Sequence, residues 1–227
     1  MQKLFYLLFD GPDVDGDALR GSLVDRAVPA MRAHGAREIT VFANDAAVAG
    51  GTPIQRSDPP IRAMVSFWLD DAADRGPSEA ALAAAVQRMA GYLVVESRPM
   101  VHERVAGART PGMKQISCIT KRADLSQAEY VRIWHEDHRE VAIETQSTFG
   151  YVRNEIFRPL TEDAPTQWDA FVEESFPMEA LTSPLAFYDA ETQEEYEANF
   201  ETMMKSCGRF LDHGPIEVTF VSEYYQG

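Results

Sequence analysis

Within the segment QAEYVRIWHEDHREVAIETQ, residues 127–146, apolar side chains return at helical spacing. At about 100° per residue, Tyr130, Val131, Trp134, Val141 and Ala142 fall in one stripe, with Glu136, Asp137, Arg139 and Glu140 largely outside it. Ser126 followed three residues later by Glu129 makes a capping box, which predicts a helix starting near Gln127. His138 lies inside the apolar stripe one turn after Trp134, and His135 sits at its edge. An imidazole in that position either finds a partner in the core or faces a cavity, where it can exchange a proton near neutral pH.

Elsewhere short apolar runs alternate with amphipathic stretches. Residues 3–9 (KLFYLLF) read as a strand, 10–16 as a Gly/Pro/Asp turn, and Asp17 caps a helix running through Leu19, Leu23, Ala27 and Met31 to near Gly35. Strands are predicted at 37–42 and 61–69, an alanine-rich helix at 78–94 and a fourth strand at 99–105. The order β-α-β-β-α-β is the ferredoxin-like one. The second half repeats it, with strands at 114–120, 151–157, 168–176 and 215–224, the capped helix above, a helical turn at 177–184 and a helix at 191–211. Ala90-Gly91-Tyr92-Leu93 resembles Cys207-Gly208-Arg209-Phe210, and Pro99 and Pro215 each precede a predicted last strand. The chain therefore divides near Gly107–Gly112 into residues 1–107 and 113–227. Each repeat covers one sheet face with its helices and leaves the other bare, so the expected α+β fold packs the two repeats sheet to sheet as a pseudo-dimeric barrel. Cavities are expected between each sheet and its own helices.

With 45% hydrophobic residues in 227, the chain can bury a core without metals or disulfides. Its net charge of -15 argues against nucleic acid or an anionic membrane as partner. Cys118 and Cys207 fit reduced thiols, and the amino-terminal apolar run is too short for a signal peptide or span, so a cytoplasmic protein is expected. No HxxxH, HExxH or Cys/His cluster points to a metal, although His135 and His138 stand three apart, and no glycine-rich phosphate loop follows a strand.

His138 is the first candidate for a general acid/base, with a pKa expected close to working pH. Glu173 and Glu174 point to opposite strand faces; Glu174 shares its face with Trp168, Ala170 and Val172, making it the acid set among apolar side chains. Tyr130 and Tyr151 could each hold a phenolic oxygen, and either Asn154, as donor to an oxyanion, or Arg153, as a carboxylate clamp, could serve from the neighbouring strand. Trp134, Trp168 and Phe176 supply ring surface for an aromatic substrate, and His213 precedes the final strand at a pocket mouth. His102 falls in a strand of the first half, and His34 reads as a charge at a helix end.

The run ITKRADLSQAEYVRIWHEDHREVA, with Lys121-Arg122 after a strand, Leu125-Ser126 opening a helix, Trp134, and His138 four residues later, resembles the ethyl tert-butyl ether degradation (EthD) family of the dimeric α+β barrel superfamily. Phe210-Leu211-Asp212 adds to the likeness, which spans residues 113–224 with a weaker copy in 3–105. The resemblance implies a small enzyme without an organic cofactor, acting on aromatic or phenolic compounds with a histidine acid/base; some relatives bind haem. It carries over to His138 and, as a packing neighbour, Trp134. In the first copy Arg26 falls where His138 stands, which implies one working site per chain. The function expected is a cofactor-independent carbon–carbon lyase, releasing carbon dioxide or an aldehyde from a phenolic compound of the lignin-derived kind. An isomerase or aromatic polyketide cyclase is the alternative within enzymes, and a haem- or ligand-binding protein with His138 as axial ligand the alternative outside them. Pairing of chains into a homodimer stays open.

Overall fold

A computed structural model describes all 227 residues. The first half consists of β1 (Gln2–Phe9), α1 (Gly16–Ser22), α2 (Val28–Ala33), β2 (Arg37–Ala43), β3 (Ile61–Leu69), α3 (Gly76–Ala83) and β4 (Arg88–Met100). The second comprises β5 (Met113–Lys121), α4 (Gln127–Arg132), α5 (Arg139–Thr145), β6 (Gly150–Pro159), β7 (Ala170–Phe176), α6 (Pro184–Phe187), α7 (Gln193–Cys207) and β8 (Leu211–Tyr225). No helix is long and apolar enough to cross a membrane.

The strand orders β4-β1-β3-β2 and β8-β5-β7-β6 are the same in the two halves, and antiparallel pairing of β2 with β8 and of β6 with β4 closes one eight-stranded barrel. The two repeats thus face each other across a shared core, as expected, and are also hydrogen-bonded at both edges. The pleat sorts side chains between two environments. From β1, Phe5, Leu7 and Phe9 point inward to meet Ile116, Cys118 and Phe171, while Leu4, Tyr6 and Leu8 point outward beneath α1, α2 and α3.

Both amphipathic helices widen at the same place. A π turn at Leu23–Ala27, where the Val28 amide donates to the Leu23 carbonyl, joins α1 to α2, and another at Ile133–His138 joins α4 to α5. Ser126 and Glu129 form the expected capping box. One spacing relates the buried residues Leu23, Ala27 and Met31 to Trp134, His138 and Ala142, and also relates Lys3 to Lys114. Buried Ala27 therefore takes the place of His138 in the first half, and Arg26, which had been matched to it, is exposed.

The helix expected at 78–94 stops at Ala83, and β4 begins at Arg88, so the strand expected at 99–105 is instead the end of a long strand that started earlier. Alanine content carries the helical pattern too far; burial of Ala90, Tyr92 and Val94 in the barrel overrides it. Gly91 pairs with Tyr6 across the sheet, and a Cβ there would come within 2.4 Å of the tyrosine ring, so a glycine is required where β4 crosses that side chain. The tetrapeptide likeness fails accordingly: Ala90–Leu93 lies in a strand, Cys207–Phe210 at the end of α7, and Pro99 and Pro215 both lie within strands.

One end of the barrel interior is ionic. Lys3 donates to Asn154 Oδ1 at 2.7 Å and Glu173 Oε1 at 3.5 Å and pairs with Glu96, while Lys114 donates to Glu223 Oε1 at 2.8 Å and Glu173 Oε2 at 3.3 Å. Asn154 Nδ2 donates to Glu173 Oε1 at 2.9 Å, and His102 lies 3.0 Å from Glu223 Oε2. Burial pushes the Glu173 and Glu223 carboxyls toward protonation, but the lysines outweigh it and hold both below the usual carboxylate range. Glu173→Ala leaves Lys3 with Glu96 and Lys114 with Glu223 but removes the carboxylate that the two lysines and Asn154 share, and is expected to cost about 3 kcal/mol in urea unfolding. A loss below about 1 kcal/mol would show that this network does not hold the barrel together.

Candidate active site

The second half leaves a cavity of about 280 Å³ between the outer face of its sheet and its helices, with fourteen of twenty lining residues apolar. Its floor comes from alternate outward positions of adjacent strands: Gln115, Ser117 and Ile119 on β5, Val172 and Glu174 on β7, and Tyr151 on β6. Its roof comes from Trp134, His138 and Gln146 along the capped helix, Met203, Met204 and Cys207 on α7, and Phe187 and Tyr188 after β7. In the first half the corresponding residues Leu23, Ala27 and Met31 belong to one buried apolar cluster with the sheet residues Leu4, Tyr6 and Leu8.

His138, only 7% exposed, keeps Nδ1 2.9 Å from the Ser206 hydroxyl on α7 and packs on Phe210 with ring centroids 4.7 Å apart. The hydroxyl can accept from Nδ1–H or donate to bare Nδ1, so it supports either tautomer and leaves Nε2 as base or donor. The expected near-neutral pKa is not found. Burial, with the positive charges of Arg153 and Arg209 adding to it, lowers the imidazole to about 4, because no carboxylate stands beside it. His138 is thus a neutral ring throughout the physiological range.

The group that titrates near neutrality is Glu174. Its side chain is 8% exposed, its hydrogen-bond partner is Gln115 Nε2 at 3.3 Å, and burial pushes its pKa up to about 7 against the small opposing effect of that bond. Tyr151 lies opposite Glu174 in the β6–β7 register; its hydroxyl accepts from Trp134 Nε1 at 2.9 Å, leaving its own proton uncommitted. Burial, more than the neighbouring Glu174 charge, raises that phenol well above the usual range. Cys207 is likewise pushed up to about 12 by burial and then by Glu174, which makes it a poor nucleophile.

Of the residues singled out from sequence, the cavity unites His138, Tyr151, Trp134 and Glu174, with exposed His213 at its rim. The others lie elsewhere for identifiable reasons. Asn154 stands three residues from Tyr151 on the same strand, so the pleat sends it to the opposite face, where it binds Lys3 and Glu173. Trp168 precedes the regular part of β7 and turns into the barrel, its indole donating to the Pro215 carbonyl at 3.1 Å, so it does not share Glu174's face. Tyr130 packs beneath Trp134 and Phe210, its hydroxyl buried without a partner, outside the cavity lining. Phe176 supports the wall from behind by stacking on Phe187 at 4.3 Å. Arg153 donates to Ser97 Oγ, and His135 lies 3.4 Å from Glu155 Oε1; neither lines the cavity. Gln115, Gln146 and Ser206 had not been singled out, yet Gln146 continues the four-residue series Trp134, His138, Ala142 and was findable by extending the stripe one turn.

A haem does not suit this space. No lysine or arginine lines it to meet the propionates.

No protein-family model matches the sequence, and no curated protein is significantly similar to it. Among solved structures, an anthrone oxidase-like protein superposes over 100% of this chain and 94% of its own, at 9% identity and a TM-score of 0.56. The chlorite dismutase of Candidatus Nitrospira defluvii in complex with imidazole covers 98% of this chain and 90% of its own at 10% identity, with a TM-score of 0.48. A candidate monooxygenase from Lactobacillus acidophilus covers 100% and 96% at 8% identity, with a TM-score of 0.46. The first likeness shows the fold, that of the dimeric α+β barrels, here built from a single chain.

Because the folded pKa of Glu174 lies above its ordinary 4.5, the folded state holds a proton that the unfolded chain releases between pH 4.5 and 7. The carboxyl therefore costs nothing below that window and increasingly more as pH rises through it. Glu174→Gln is expected to raise stability at pH 8, by up to about 3 kcal/mol, and to change it little at pH 4. Urea unfolding of both proteins at the two pH values checks this; an equal effect at both would show that the carboxyl is not held protonated by burial.

Proposed function

We propose that the cavity of the second half is the active site of a lyase that breaks a carbon–carbon bond next to a phenolic ring, without an organic cofactor. The observation that carries this reading is a buried carboxyl with a pKa of about 7 lining the same mostly apolar cavity as a permanently neutral imidazole. Glu174, protonated, gives its proton to the ring carbon that bears the side chain, and His138 removes the proton from the carbinol hydroxyl. The electron pair of the breaking bond restores the aromatic ring, and the carbinol carbon leaves as an aldehyde; for a carboxylated substrate the same ring protonation releases carbon dioxide. A general acid poised near neutrality is worth roughly 10²–10⁴ in rate, and the imidazole, held neutral, is free to accept the carbinol proton. Tyr151, fixed by Trp134, donates its free proton to the phenolic oxygen, and the apolar wall strengthens each of these interactions by excluding water.

The EthD resemblance of residues 121–138 supports the site's placement, since its histidine is the one that lines the cavity. The fold likeness to an anthrone oxidase-like protein supports a second reading, in which the deprotonated phenol is oxidised by dioxygen in the same pocket. Oxygen consumption separates the two. Incubation with lignin-type phenolics is expected to release formaldehyde or carbon dioxide without consuming oxygen. Glu174→Gln and His138→Ala should each lower kcat by about 10²-fold or more. Full turnover by His138→Ala would remove that residue from the mechanism.

A further inference from the structure

One polar group in the cavity has no part in the chemistry above and no partner in the protein. Gln146 closes α5, is 7% exposed, lines the cavity, and buries an Oε1 that accepts no hydrogen bond. A carboxamide kept from water without a partner weakens the folded protein, and apolar side chains of similar size would fit the same wall better. A second feature concerns charge. No lysine or arginine lines the space, and its one ionisable acid, Glu174, is half ionised at neutral pH. Arg153 and Arg209, the cations that bear on His138, are both outside the lining, Arg153 lying 5.8 Å from the centroids of Trp134 and Tyr151.

We propose that Gln146 anchors the polar edge of the ligand and that the cavity selects uncharged aromatic rings bearing a hydroxyl, rejecting aromatic carboxylates. The inference rests on reading this cavity as the substrate site and narrows it. Oε1 has no surface open to the cavity as the amide stands; a half-turn of the amide exchanges it with the accessible Nε2, and a phenolic or carbinol hydroxyl then donates to Oε1 and supplies the missing partner. A carboxylate entering the same space loses its hydration, meets no counter-charge and lies near a second carboxyl. Between the two leaving groups considered above, this favours the aldehyde.

The test uses three probes of one shape, 2-naphthol, 2-naphthoate and 2-methylnaphthalene, titrated calorimetrically into the full chain at pH 8. The indole N–H signal of Trp134 in NMR spectra reports whether each enters the cavity. Naphthol is expected to bind at least about tenfold more tightly than naphthoate, and Gln146→Leu to weaken naphthol about tenfold while leaving methylnaphthalene within about twofold. Without ligand, Gln146→Leu should melt at a higher temperature than the natural protein, since it removes an unsatisfied buried amide. Naphthoate binding as tightly as naphthol, naphthol binding indifferent to Gln146→Leu, or a variant less stable than the natural protein would each overturn the proposal. Failure of all three probes to shift Trp134 would overturn both it and the reading of the cavity as a site. Gln146-dependent naphthol binding with no turnover of any phenolic would sink the lyase and leave this inference standing; turnover of free phenolic acids would do the reverse.

Discussion

Two buried lysines sharing one carboxylate set the constraint on which this molecule is built. Glu173 receives Lys3 from the first half and Lys114 from the second, and Asn154 fills one of its remaining lone pairs. Charges in such a place are tolerable only when every partner is present and aligned. That requirement ties β1, β5, β6 and β7 to a single arrangement. Strand pairing at the two seams can slip in principle, because backbone ladders are alike from one register to the next. The ionic cluster cannot slip with it: a shift by one residue would swing its lysines out of the barrel. An apolar core of the same volume can stabilise equally well, but it would not specify the register so sharply.

The same pleat that fixes the cluster also divides labour along each strand. On β7, Glu173 faces inward among lysines and stays ionised, while its neighbour Glu174 faces outward under helices and is pushed to about 7. Two identical side chains at adjacent positions thus acquire opposite properties from their surroundings alone. The duplication shows a comparable divergence. Where the second half places Trp134 and His138 on its widened helix, the first has Leu23 and Ala27, and the chain there closes against its sheet. One half is packed and the other holds a cavity.

Local signals in the sequence held where they were self-contained. The capping box at Ser126 and Glu129 and the strand Ile61–Leu69 appear as expected, since each is encoded by neighbours along the chain. The repeat and the cavity's place beneath the helices followed from topology. What failed depended on residues distant in sequence. The alanine-rich helix ends early because its continuation is claimed by β1, and Gly91 is there to clear Tyr6. Trp168 turned inward because the regular strand begins only at Ala170. The helical stripe places His138 beneath the helix, where it lines the cavity, but its proton affinity is set by burial and then by Arg153 and Arg209, none of which its own helix reveals. Gln146 was within reach, one turn further along the same stripe.

Closure of the barrel by β2 on β8 and β4 on β6 within one polypeptide has a consequence for how the protein responds to dilution and to mutation. Barrels assembled from two chains come apart as concentration falls, and every substitution in them appears twice across an axis. Here the join is intramolecular, so its integrity is independent of how many copies a cell holds. A change on one side is also not mirrored on the other, so one side can hold a cavity while the other is packed solid.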